Sequence, residues 1–200
     1  MVSEAPRSLN HNGSFCLPGD VWLADTRRAI GVRVVYQVEP DVGDSLPSIE
    51  LDELVGGEIK KVTLPDLFKG KRGILFGVPG AFTPGCSKTH LPGYIADYDT
   101  LKEAGAEIVV CVSVNDAFTM GAWGDAHGAD GKVRMLADPR AELATALGFE
   151  FDAVGVLGNV RCRRFSAVVE DGVLKSVNLE EGGGMTCSLS NQILDQLKQQ

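Results

Sequence analysis

GILFGVPGAFTPGCSKTH, Gly73 to His90, carries the two signals that set the fold. Gly73 to Val78 is an uninterrupted apolar run between turn residues, which predicts a buried strand over 73–79. A loop of Gly, Pro, Thr and Lys around one cysteine, Cys86, follows it. Beyond the loop, the pattern predicts a helix from about Cys86 to Ala104, interrupted near Pro92-Gly93. A buried strand feeding a helix is half of a βαβ unit.

The alternation continues outward from this segment. EIVVCVSV (107–114) reads as a second buried strand, with Asn115 as cap of a helix over 115–127. KVRMLAD (132–138) reads as a strand and RAELATALG (140–148) as a helix closed by Gly148. RCRRFSAVVE and VLKSVNLE form a hairpin around Asp171-Gly172. SLSNQILDQLK (188–198) is an amphipathic helix with Ile193, Leu194 and Leu197 on its apolar face. Upstream, VRVVYQV (32–38) and EIKKVTL (58–64) read as strands and LPDLFKG (64–70) as a short helix. Parallel βαβ units followed by an antiparallel hairpin and a terminal helix predict an α/β, thioredoxin-like fold: a central mixed sheet flanked by helices. Residues 1–33 lack periodicity and are expected to be disordered or loosely attached, with the domain at 34–200.

Composition removes several function classes. A net charge of -8 argues against nucleic-acid binding, which needs clustered Lys and Arg. No apolar stretch reaches the roughly 20 residues of a membrane span. The five cysteines are scattered, the nearest pairs (Cys86/Cys111 and Cys162/Cys187) lying 25 positions apart. That spacing disfavours a structural zinc site and points to a reducing compartment. No phosphate loop is present. The cytoplasm is therefore expected. Mitochondria are an alternative that the acidic residues of the extension weaken, and the Lys198-Gln199-Gln200 end is not an SKL-type peroxisomal address.

Cys86 stands seven residues beyond the strand, at a helix start. Free N–H groups and the positive end of the helix dipole there favour a thiolate over a thiol. Thr83 is placed to donate its hydroxyl to the sulfur or to a bound oxygen. Pro79 and Pro84 stiffen the loop, while Gly80 and Gly85 let the backbone approach a ligand. A lone cysteine is more often an inert buried thiol. The agreement of strand end, helix start and Pro-x-x-x-Thr-x-x-Cys spacing favours a reactive one. In RCRRFSAVV, alternation puts Cys162, Arg164, Ser166 and Val168 on one face, with Arg161 and Arg163 toward solvent. A partly buried Arg164 would want an anion. His90, one turn after Cys86, could contact the pocket, although such a histidine more often caps or packs locally. Thr89 occupies the position of a thioredoxin's second cysteine.

GVPGAFTPGCSKTHLPGY resembles the active-site segment of the peroxiredoxins, most of all the type-five (atypical two-cysteine) subfamily. VSVNDAF, GKVRMLADP, RRFSAVVEDGV and MTCSLS resemble it in the same order, so the likeness spans about 34–197. It implies a thiol peroxidase that reduces hydrogen peroxide and alkyl hydroperoxides. Cys86 would be the peroxidatic residue, oxidised to a sulfenic acid, with Pro79, Thr83 and Arg164 around it and no cofactor. It implies an intramolecular disulfide with Cys187 and recycling by thioredoxin, or by glutaredoxin, in a monomer or non-covalent homodimer. The alternative is a plant-type mechanism, with Cys111 or an external thiol resolving. Two further rivals stay open: a thiol–disulfide oxidoreductase on the same fold, disfavoured by Thr89, and a redox-signalling adaptor with little turnover.

Overall fold

The computed structural model describes residues 40–199; the 32–38 strand, the 1–33 extension, Cys16 and Trp22 lie outside them. Strands β1 (Glu50–Val55) and β2 (Glu58–Thr63) form a hairpin over Gly56-Gly57. In α1 (Leu64–Phe68), Thr63 caps the helix by accepting the Asp66 N–H. The opening apolar run is β3 (Arg72–Val78), buried along almost its whole length. After the Cys86 loop comes a π-helical turn, Cys86–His90, then α2 (Leu91–Ala96) and α3 (Tyr98–Glu103). Next are β4 (Ile108–Ser113), α4 (Ala117–His127), β5 (Arg134–Ala137) and α5 (Glu142–Ala146). A small hairpin of β6 (Glu150–Asp152) and β7 (Val160–Cys162) encloses α6 (Val154–Leu157). The chain continues through β8 (Phe165–Glu170), β9 (Val173–Leu179) and α7 (Ser190–Gln199).

Seven strands make one mixed sheet in the order β2-β1-β5-β4-β3-β8-β9, parallel at β5-β4-β3 and antiparallel elsewhere. Its side-chain alternation builds two apolar layers. Leu75, Val110, Phe165 and Ala167 face one, with Leu64, Phe68 and Leu143 of the helices. Phe76, Cys111 and Val168 face the other, with Cys86, Tyr94, Trp123 and Ile193. This is the thioredoxin-like arrangement expected. Among the described residues no helix is long and apolar enough to cross a membrane.

Three local expectations fail. The helix after Cys86 breaks at Asp97, where φ -87 and ψ 4 leave helical geometry, rather than at Pro92-Gly93. Pro92 instead lies in the first turn of α2, where a proline is tolerated. Asp116, not Asn115, caps α4, accepting the Thr119 N–H at 2.9 Å. The strand expected through 161–170 is broken between Cys162 and Phe165. Cys162 therefore lies in the layer with Phe165, not beside Arg164 and Val168.

Candidate active site

The loop from Pro79 to Gly85 is held by its neighbours. Asn115 Oδ1 accepts the Ala81 N–H and the Ser113 hydroxyl, both at 2.9 Å. Phe82 sits at φ 60, in the left-handed region that a bulky side chain rarely adopts. That twist sets Thr83, whose hydroxyl donates to Gly80 O at 2.9 Å. The expected donation from Thr83 to the sulfur is therefore not made; its hydrogen is committed and its oxygen is left as an acceptor. Pro79, half-buried, closes β3.

Cys86 is fully buried, and Arg164, 5% exposed, reaches it: Nη2 lies 3.5 Å from Sγ. Gly85 makes this approach possible, because a Cβ there would meet Arg164 Nη2 at 3.2 Å and Met185 Cε at 3.6 Å. Arg164 Nη1 donates to His90 Nδ1 at 3.1 Å, and His90 Nε2 lies 2.9 Å from Ser188 O. Arginine can only donate, so Nδ1 is the acceptor and the proton of the neutral ring is on Nε2, donating to Ser188 O. His90 is thus neither a cap nor a pocket base; it orients the guanidinium. Arg164 Nε has no partner among the described residues.

Burial pushes the His90 pKa down to about 4, with the Arg164 charge adding to it and the Ser188 bond opposing. Its ordinary value is 6.5, so the unfolded chain binds more protons than the folded one between those values, and stability falls as pH drops through that window. The effect is on the order of 3 kcal/mol. We expect urea midpoints to fall from pH 6.5 to 4 and to flatten over that range in His90→Gln. An unchanged slope in the variant would assign the acid sensitivity to another group.

Cys111 lies in β4 beside Phe76 of β3, fully buried in the layer that holds Cys86. Burial, with Cys86 next in weight, drives its thiol well above the ordinary range. Burial likewise raises Cys162. Cys187 is half-exposed, on a turn ahead of α7, and its thiol is raised by burial and by Glu180. All four described cysteines are free. Arg161 and Arg163, expected in solvent, are tied down: Arg161 Nη1 donates to Val114 O at 2.7 Å and Arg163 Nη2 to Glu180 O at 3.3 Å.

The Redoxin family pattern matches residues 41–193. The chain belongs to the peroxiredoxin family. It is 45% identical to the rice protein named Peroxiredoxin-2E-2, chloroplastic, over 78% of this chain and 72% of that one. Reduced Prx3 of Vibrio vulnificus in complex with hydrogen peroxide superposes with a TM-score of 0.76 at 40% identity, covering 79% and 99% of the two chains. Peroxiredoxin 5 of Alvinella pompejana gives 0.72 at 38% identity, covering 80% and 99%. This peroxiredoxin is a thiol-dependent peroxidase, and its substrates are peroxides. A cavity of about 660 Å³ lies away from the cysteines, between Tyr98, Asp125 and the Glu53–Arg134 pair.

Sequence reasoning missed Glu180, Tyr94 and Ser188 as parts of this site. Glu180 Oε1 accepts the N–H groups of Thr186, Cys187 and Ser188 at 2.6, 2.8 and 2.9 Å. Tyr94 donates its hydroxyl to Ser188 O at 2.7 Å. The only signal in the sequence was an acidic pair directly before three glycines, which reads equally well as a solvated loop.

Proposed function

We propose that Cys86 is the peroxidatic cysteine and that Pro79, Thr83 and Arg164 complete its pocket. The contact between Arg164 Nη2 and Cys86 Sγ, made between two buried side chains, carries this reading. A buried guanidinium needs an anion, and a Cys86 thiolate supplies one. The thiolate attacks the terminal oxygen of ROOH, the O–O bond breaks, Cys86 becomes a sulfenic acid, and the leaving RO⁻ takes a proton from solvent and departs as ROH. Thr83 Oγ1, its own hydrogen held by Gly80 O, accepts the peroxide O–H and aims the substrate. Arg164, with its Nε–H unspent, offsets charge developing along the O–O bond. A fully buried sulfur suits hydrogen peroxide and small alkyl hydroperoxides.

The second half follows from exposure. Cys187, half-exposed, condenses with the sulfenic acid; water leaves and the Cys86–Cys187 disulfide forms. Thioredoxin, or glutaredoxin, then reduces a bond that has one accessible sulfur. Cys111, wholly buried, would give a disulfide that no partner protein reaches without opening the sheet. We place the reaction in a reducing compartment, the cytoplasm or, as named for the rice relative, the chloroplast.

The test is Arg164→Lys. An ammonium keeps the charge but cannot hold His90 and the sulfur together as a planar fork does. We expect single-turnover oxidation by hydrogen peroxide to slow about a hundredfold, since two charge-assisted contacts are lost. Oxidation at the wild-type rate would remove Arg164 from the pocket.

A further inference from the structure

Glu180 directly follows β9 and is 1% exposed. Five donors from three consecutive residues bind its carboxylate. Beyond the three N–H groups on Oε1, the Ser188 hydroxyl donates to Oε1 at 2.9 Å and the Thr186 hydroxyl to Oε2 at 2.8 Å. Burial opposes ionisation of this carboxyl, but the bonds from Ser188, Thr186 and Cys187 overcome it and hold the pKa at about 2. The carboxylate therefore fixes the turn that carries Cys187.

That turn also touches the peroxide pocket. Ser188 O receives both His90 Nε2–H and the Tyr94 hydroxyl, and His90 in turn holds Arg164 against Cys86. The Glu180 N–H donates to Arg164 O at 2.9 Å, so its backbone binds the arginine's backbone as well. Met185, one residue before the turn, flanks Gly85 next to Arg164 Nη2. A single side chain thus sits at the junction of the two halves of the cycle.

We propose that Glu180 is a positioning residue that latches the 186–188 turn, aligning Arg164 through Ser188 and His90 for peroxide attack and releasing Cys187 only when the turn opens. The second clause rests on Cys187 as the resolving thiol; the first does not. With the latch closed, Arg164 is aligned, and Cys187 is held with its thiol protonated beside a carboxylate. With it open, Cys187 moves toward Cys86 and Arg164 loses its support. The latch keeps the pocket assembled for peroxide and sets the rate of disulfide closure: Cys86–SOH and Cys187–SH give Cys86–S–S–Cys187 and water.

The proposal predicts opposite changes in two rates. In Glu180→Gln the size is kept, but the amide's NH2 faces backbone donors. Loss of charge-assisted bonds should slow single-turnover oxidation by hydrogen peroxide about tenfold and speed disulfide closure by a similar factor. Rapid-quench mass spectrometry reads both. A merely destabilised variant would slow both, and that result overturns the latch. Measuring the oxidation step in a Cys187→Ser background separates the two claims. A tenfold slowing there supports the alignment role whichever thiol resolves; an unchanged rate removes it. Thr186→Val is the gentler variant should Glu180→Gln fail to fold, because Thr186 is exposed and loses one bond to Oε2. It should close the disulfide about threefold faster. Closure at the wild-type rate would end the proposal.

Discussion

Peroxide consumption is expected to vanish in Cys86→Ser, by at least about 10⁴-fold, with the fold intact. The attack needs an ionised nucleophile, and a serine hydroxyl beside Arg164 stays protonated at neutral pH. No other group replaces it, because Cys111, the other buried thiol of that layer, is held protonated by its own burial. The fold should survive because the volume is nearly kept, and Arg164 Nη2 stands ready to donate to the new oxygen. A buried hydroxyl left without a partner costs about 1–3 kcal/mol, and a donor in place makes the cost smaller. Trp123 supplies the control: it is fully buried, and its Nε1–H donates to Ser87 Oγ at 3.0 Å. Its near-ultraviolet signal should match wild type if the Cys86 turn is still formed. Turnover above a hundredth of wild type, with that signal intact, would move the nucleophile to another cysteine.

The two central strands were readable because burial on both faces leaves a continuous apolar run, as in GILFGV and IVVCVS. The β8–β9 turn was readable because Asp171-Gly172 supplies two residues at positive φ, 48° and 75°. β1 was not assigned, because three acidic residues in ELDELV mask the alternation of Leu51 and Glu53 toward the sheet's buried side. Its acids are paired across the sheet: Asp52 with Lys61 of the neighbouring β2, and Glu53 with Arg134 of β5, far along the chain. The active site divided along the same line. Pro79, Thr83 and Cys86 lie within one segment, so their spacing carried them. Arg164 was found on the layer that holds Val168 and Cys86, whereas Cys162 was wrongly set beside it, since the break after Cys162 resets which side chains share a face. Glu180 holds backbone N–H groups of the turn six to eight residues further on. That recognition leaves no residue-type signature, because every non-proline residue carries the donor. Asn115 was read as a cap from its position, yet tertiary contact diverts its carbonyl to the Cys86 loop.

Cys187→Ser should leave the first peroxide reduction near the wild-type rate and stop the thioredoxin-linked cycle. The serine variant retains the backbone N–H that Glu180 binds, so the latch stays closed and Arg164 stays aligned. What is lost is the tethered thiol. An intramolecular thiol acts at an effective concentration on the order of millimolar, so an external thiol at far lower concentration should cycle at least about a hundredfold more slowly. The sulfenic acid then persists, and a second peroxide carries Cys86 to the sulfinic form. Mass spectrometry should find sulfenic and sulfinic Cys86 in the variant and a Cys86–Cys187 disulfide in wild type. Cys111→Ser should cycle nearly as wild type, because that side chain is wholly enclosed between β3 and β5. Its cost is in packing, about 1–3 kcal/mol for an unpartnered buried hydroxyl. The rival outcome is sharp: a Cys86–Cys111 disulfide as the main product would transfer resolution to β4. It would also require the sheet to open at its centre, where β4 is hydrogen-bonded on both edges. The Cys187 turn needs no such opening, since the Glu180 carboxylate and the bonds to Ser188 O hold it from outside the sheet's ladders.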